Sequence, residues 1–449
     1  MSAKPALRPS HDSDSRPHVV IVGGGFGGLQ AARSLAGAPV RVTLVDRSNH
    51  HLFQPLLYQV ASAVLSPSDI AAPIRWLLRR QANAEVLLAE AQGLDLDGRR
   101  LLLTSTALEY DVLVLAAGMT NTWFGHDEAW SPHAPGLKSL DDALEMRRRI
   151  LLAYERAEWA RDPDERRKQL TFVVVGGGPT GVELAGALSE IARDTLRRDF
   201  RHIDPSEARI VLVEGAPKVL GTFGGELPQR ALEQLEAIGV EVRLGDMVET
   251  VDANGVVVGG ERIEAATVLW GAGVRAEEIG GALGVELDRA GRVLVQADCS
   301  VPGHREVFVI GDLAHHRHAE EAGGEPPERP LPGVAQVAIQ MGKHVARALQ
   351  ADRDGAPRPR FRYRDLGSMA TVGRRRAVAE IGGLRFAGTF AWLTWLFVHL
   401  MALVGFRNRL AVLLQWSWSY LTFQRTSRLI RGSERAPDQL DAPPAESVL

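Results

Sequence analysis

The chain has almost no cysteine: Cys299 is the single one in 449 residues. One thiol excludes an intramolecular disulfide and excludes a cysteine pair that shuttles electrons. An excess of charge is also lacking. Lys and Arg number 52 against 55 Asp and Glu, a formal net charge of −3, so no basic field calls for nucleic acid. Residues 1–17, MSAKPALRPSHDSDSRP, lack the apolar centre of a secretory signal and read as a disordered leader. Long apolar runs are scarce too, with one exception near the end, Phe386–Phe406. Glycine is abundant at 45 residues, as tight turns next to a ligand require. The length allows two or three domains with filled cores.

Two of the glycine clusters have the same design. The run HVVIVGGGFGGLQAARSL places Gly23, Gly25 and Gly28 in G-x-G-x-x-G spacing between an apolar strand pattern, Val19–Val22, and a helical one. Glycines there let the chain turn sharply and approach a pyrophosphate, which meets the free N–H groups of the helix start. The next apolar run, VRVTLVD, closes on Asp46, an acceptor for a ribose diol. The second copy, LTFVVVGGGPTGVELAGAL, gives Gly176, Gly178 and Gly181 after Thr171–Val175, and its following strand ARIVLVE closes on Glu214. A carboxylate there repels a 2′-phosphate, which favours NADH over NADPH. A lone copy has a glycine-rich turn between strand and helix as its alternative. Two copies, each with strand, helix and terminal acid, imply a bound flavin and an exchangeable nicotinamide.

Other strand ends fit the flavin half. YDVLVLAAGMTN ends in Ala116, Ala117 and Gly118, small enough for backbone to touch a cofactor, and EVFVIGDLA ends in Gly311 and Asp312. Asp312 suits a sugar-alcohol hydroxyl, with a plain helix cap as its alternative. Gln336 and Gln340 in AQVAIQ share a helix face and each offers a donor and an acceptor. Glu183 is expected in the first helical turn after Gly181, where the helix dipole alone would favour it. His315–His318, HHRH, reads as a solvated polar loop, and no metal site is expected.

The double fingerprint and the Gly311–Asp312 strand end resemble the two-dinucleotide-binding flavoproteins of the glutathione-reductase-like fold. That resemblance implies an α/β chain of two Rossmann-like domains, the NAD domain inserted in the FAD domain, with a C-terminal helical membrane-anchoring region. The boundaries expected are a leader at 1–17, FAD-binding segments at 18–164 and 286–358, an NADH-binding domain at 165–285, a membrane-association region at 359–431 and a loose tail at 432–449. The stretches HHLFQPLLYQVASAVLSPSDIAAPIR, LPGVAQVAIQMGKHVARAL and DLGSMATVGRRRAVAEIGGLRFAG resemble the type II NADH dehydrogenases. The resemblance runs from about 18 to 430 and implies FAD-dependent oxidation of NADH with two-electron reduction of a membrane quinone, without proton pumping. It implies that Gln336 and Gln340 line the flavin and quinone, that Glu183 orients NADH or relays protons, and that the enzyme is a homodimer on the cytoplasmic face of the membrane. One departure stands out: family members often carry Lys where this chain has Leu366. An NADH-dependent ferredoxin or rubredoxin reductase and a non-enzymatic flavin redox sensor are the alternatives, and the apolar C-terminus disfavours a polar protein partner.

Phe386–Phe406 is long enough to span a bilayer, but Arg407, Arg409, Arg425, Arg428 and Arg431 follow it among Trp and Tyr. That mixture suits a helix lying in the headgroup region; a buried core or dimer helix is the third reading.

Overall fold

The computed structural model describes residues 15–317, 330–422, 425 and 427–430. The elements used below are, in chain order, β1 (His18–Val22), α1 (Phe26–Ser34), β2 (Arg41–Asp46), α2 (Leu57–Ala61), β3 (Ala84–Leu88), β4 (Val112–Leu115), β5 (Thr171–Val175), α3 (Pro179–Glu190), β6 (Arg209–Glu214), β7 (Val240–Leu244), β8 (Thr267–Trp270), β9 (Ser300–Val301) and β10 (His304–Val309). They continue with α4 (Ala335–Arg353), β11 (Ser368–Gly373), β12 (Arg376–Ile381), β13 (Leu384–Ala387), α5 (Thr389–Ala402) and α6 (Phe406–Thr422).

By contact the chain forms two units, each assembled from three separate segments. The first takes residues 1–51, 73–119 and 275–364. Its six-stranded sheet runs β9-β10-β4-β1-β2-β3, parallel except for β9. Val19, Val20, Ile21, Leu44, Leu113, Phe308 and Val309 are fully buried. That is why these strands read as continuous apolar runs: a parallel sheet is covered on both faces, here by helices and by the strands at 91–109, whose Leu101 joins the same core. Cys299 is buried in this core, where burial pushes its thiol up and keeps it a packing residue.

The second unit takes residues 52–72, 120–274 and 365–449. Its parallel sheet runs β7-β6-β5-β8. The antiparallel sheet β11-β12-β13 packs on α3 so closely that a side chain at Gly186 would put its Cβ 1.7 Å from the Val372 carbonyl oxygen. The C-terminal region is thus built onto the second nucleotide-binding fold.

The apolar run Phe386–Phe406 divides between three structures. Phe386 and Ala387 end the sheet in β13, Gly388 turns the chain at φ +83°, and α5 covers only Thr389–Ala402. No helix among the described residues is long and apolar enough to cross a membrane. At 1.5 Å per residue α5 is about 21 Å long, against a hydrocarbon core of about 30 Å. One face of α5 buries Ala391, Trp392 and Trp395, while Phe390, Leu393, Phe397 and Met401 are exposed. In α6, Val412 and Trp416 face inward, while Leu410, Leu413, Leu414, Trp418 and Leu421 are exposed.

Candidate functional site

Both glycine loops have the same construction, one in each unit. In the first, α1 starts behind Gly25, which offers no side-chain cap, and there is no acid in the first turn. A Cβ on Gly25 would meet nothing within 4 Å, whereas one on Gly28 would lie 1.9 Å from the Gly23 carbonyl oxygen. Gly28 lets the helix close on the turn, and Gly25 leaves clear space before the uncapped N–H groups. Asp46 braces the loop: Oδ2 accepts from Gly24 N at 2.5 Å and Oδ1 from Ser48 N at 2.6 Å. In the second unit α3 starts behind Gly178, again uncapped and with no first-turn acid. A Cβ on Gly181 would lie 1.7 Å from the Gly176 carbonyl oxygen. Glu214 accepts from Gly177 N at 2.5 Å and Ala216 N at 2.7 Å. Each acid therefore holds its own loop first, with further lone pairs left for a ribose. The residues fit two dinucleotides: glycine cradles that a side chain would fill, opening onto unopposed helix starts.

The other flavin-side residues gather at the carboxyl ends of the first sheet. Gly23, at φ +101°, sits against Ala116 and Ala117, and a Cβ on Gly311 would be 3.3 Å from that of Ala338 on α4. Gly118 has φ +79° and open space where a side chain would stand. The Asp312 carboxylate lies beside Gly333. The two glutamines of α4 differ. Gln340 donates to the Arg364 carbonyl at 2.9 Å and accepts from Arg364 N at 2.9 Å, so its amide closes like a rung of a β-ladder. Gln336 is half-buried one turn earlier and makes no such bond.

Glu183 is the fifth residue of α3, past the first turn, so the dipole reading expected for it weakens. Burial pushes its carboxyl up to about 8. The Thr371 N–H on β11 reaches Oε1 only at 3.5 Å. Beside it lies a cluster that sequence reasoning missed. Tyr58 and Gln59 on α2 are buried, Gln59 donating to the Tyr58 hydroxyl at 2.9 Å and accepting from Trp416 Nε1 at 2.7 Å. Burial, then the Glu183 charge, raise the Tyr58 hydroxyl. Trp395 stacks on His399 with ring centres 4.2 Å apart, and its Nε1 is buried without a hydrogen-bond partner. Burial lowers His399 to about 4, leaving a neutral ring whose Nδ1 donates to the Trp395 carbonyl at 2.8 Å. The one signal for this cluster was two polar residues inside the apolar run PLLYQVAS.

Two sequence readings are corrected. His315 and His316 are buried rather than solvated. A short strand through Ala314–His315 draws them inward, His315 Nδ1 meets Asp288 at 2.9 Å, and the His316 ring packs edge-on to Phe361. His318 lies outside the described residues. Arg425 is no headgroup contact: it is buried, bonded to the Ser62 carbonyl at 2.6 Å, the Ala187 carbonyl at 3.3 Å and Glu190 at 3.0 Å. Arg428 pairs with Asp199, and Arg431 lies outside the described residues.

Two braced glycine loops on parallel sheets, with one buried thiol, define a pyridine-nucleotide oxidoreductase that works without a redox disulfide. The family model described as pyridine nucleotide-disulphide oxidoreductase matches residues 17–342, and the one described as NDH2 C-terminal domain matches residues 366–425. The type II NADH:quinone oxidoreductase Ndh of Mycobacterium tuberculosis is 47% identical over 437 residues, covering 94% of this chain and 92% of that one. A Staphylococcus aureus type II NADH:quinone oxidoreductase is 29% identical, covering 84% and 92%. The solved structure of Plasmodium falciparum NDH2 in complex with NADH superposes with a TM-score of 0.83 at 18% identity, covering 93% of this chain and all of that one. The chain belongs to the type II NADH:quinone oxidoreductases.

Proposed function

We propose that the chain oxidises NADH and reduces a quinone at a membrane surface, with FAD held by the first unit and NADH by the second. The carrying observation is the pair of braced glycine loops in a chain whose single cysteine is buried. Bound FAD supplies the two-electron carrier between donor and acceptor, chemistry that no side chain replaces. The N–H groups behind Gly25 bind its pyrophosphate, Asp46 its ribose, Asp312 its sugar-alcohol chain, and Ala117, Gly118 and Gly311 let backbone approach. Gly176, Gly178 and Gly181 cradle the NADH pyrophosphate, and Glu214 favours a 2′-hydroxyl over a 2′-phosphate. Glu183, neutral over most of the physiological range, holds and exchanges a proton at the substrate. Gln336 offers its amide to the quinone, and Gln340 positions the Arg364 backbone beside it. The exposed apolar faces of α5 and α6 seat the protein on the cytoplasmic leaflet as a monotopic homodimer, supported by their helical spacing and the family resemblance.

Anaerobic stopped-flow tests the reading. NADH is expected to bleach the flavin band, and a short-chain quinone to restore it. A bleached enzyme that quinone leaves unchanged would overturn it. Light scattering in detergent reads the dimer.

A further inference from the structure

A tryptophan N–H is a donor and nothing else, so burying one without an acceptor is uncommon and demands a reason. Trp395 on α5 is such a case: the ring is 1% exposed, and Nε1 is sealed from solvent with no hydrogen-bond partner. Three other rings fix its pose. It stacks on His399, lies 5.8 Å from Trp416, and meets Tyr58 edge-on at 6.4 Å, while Tyr58 in turn stands within the field of Glu183. The Glu183 carboxylate is the acceptor that this N–H favours when charged. No well-formed bond joins them in the structure, although the indole is within reach of the carboxylate, and the Thr371 N–H at 3.5 Å is a weak alternative.

We propose that Trp395 is a positioning residue for Glu183: its indole N–H completes a hydrogen bond to the carboxylate each time Glu183 gives up its proton. This rests on Glu183 exchanging a proton, as read above. The consequence is that the apolar helix α5, which also presents Phe390, Phe397 and Met401 outward, sets how readily Glu183 ionises. The other titratable groups of this cluster are Tyr58 on α2, His399 stacked on Trp395, Tyr420 on α6, and the Glu190–Arg425 pair at the far end of α3; β11 contributes none. Tyr58 stays protonated and His399 stays neutral across the working range, so neither supplies the compensating charge.

The experiment is the pH profile of kcat for the holoenzyme and for Trp395→Phe, which keeps an aromatic ring and loses the donor. A bond to the charged form lowers an acid's pKa, so its loss is expected to move the Glu183 limb to higher pH by about one unit, a roughly tenfold fall in the ionisation constant. Glu183→Gln is the control. If it leaves the limb in place, the proton role of Glu183 fails. If it removes the limb while Trp395→Phe leaves it unmoved, only the role of Trp395 fails. Should Trp395→Phe not accumulate folded, the wild-type holoenzyme gives the answer by NMR of its indole N–H groups. One indole is expected to shift with the midpoint of the kinetic limb and to stop shifting in Glu183→Gln; no indole tracking the limb would overturn the proposal.

Discussion

The Arg425–Glu190 pair makes a prediction whose sign depends on which partner is removed. The Arg425 side chain is 3% exposed and the Glu190 side chain 28%. Glu190→Gln keeps the shape but leaves a guanidinium, which holds its proton, facing only neutral acceptors: the Ser62 and Ala187 carbonyls and the new amide oxygen. Stranding a buried charge costs about 3–5 kcal/mol. Arg425→Met strands a carboxylate that still reaches water and still accepts from Arg374 N at 2.6 Å. That loss is screened, and methionine refills the space, so about 1–3 kcal/mol is expected. The charge-preserving intuition, that losing the larger side chain hurts more, is reversed. The double variant is expected to match Arg425→Met, because the two residues act as one unit. Urea unfolding in detergent, followed by tryptophan fluorescence, measures all three. An Arg425→Met midpoint at or below that of Glu190→Gln, or additive single effects, would refute the reasoning.

The glycine loops separate the two nucleotides. Gly28→Ala drives α1 off its turn and is expected to yield protein without bound flavin, read by absorbance; Gly181→Ala is expected to keep the flavin and raise KM for NADH at least tenfold. Glu183 carries a folded value of about 8 against an ordinary 4.5, so the native state keeps a proton that the unfolded chain has lost between those values. Stability therefore falls as pH rises through that window, and Glu183→Gln is expected to flatten the slope of the urea midpoint against pH. Replacing Phe397 and Trp418 together by Asp is expected to lower partition onto anionic vesicles by at least a hundredfold, since each buried ring contributes about 1.5–3 kcal/mol; cosedimentation checks it.

Nucleotide-binding architecture was legible because its constraints are local. A carbonyl oxygen 1.7–1.9 Å from an absent Cβ at Gly28 and Gly181 leaves glycine as the one residue that fits, and spacing then reports it. Buried parallel strands announce themselves as apolar runs for the same reason. What the chain did not disclose locally were partners far apart in sequence. Nothing near Gln340 predicts that the Arg364 backbone takes up its amide, and nothing near Arg425 predicts Glu190 and Ser62. The histidines at 315 and 316 misled because a polar string was read without the strand that draws it inward. The run Phe386–Phe406 was legible only in part: apolarity showed that the segment avoids water, but Gly388 and the sheet ending at Ala387 decided how much of it is helix.

The three-segment weave of each unit has a consequence for synthesis. Strand β4 pairs with β1 on one edge, but its other edge is filled only when β10 arrives, Leu113 pairing with Val307, with residues 120–274 of the other unit made in between. At about 5–20 residues per second, the apolar edge of β4 waits roughly 10–40 s outside the ribosome. The nascent first unit is then a half-sheet with one bare edge, the kind of surface that joins another chain if left uncovered. Holding that edge apart, until the third segment emerges, falls to a chaperone or to the neighbouring unit folding first.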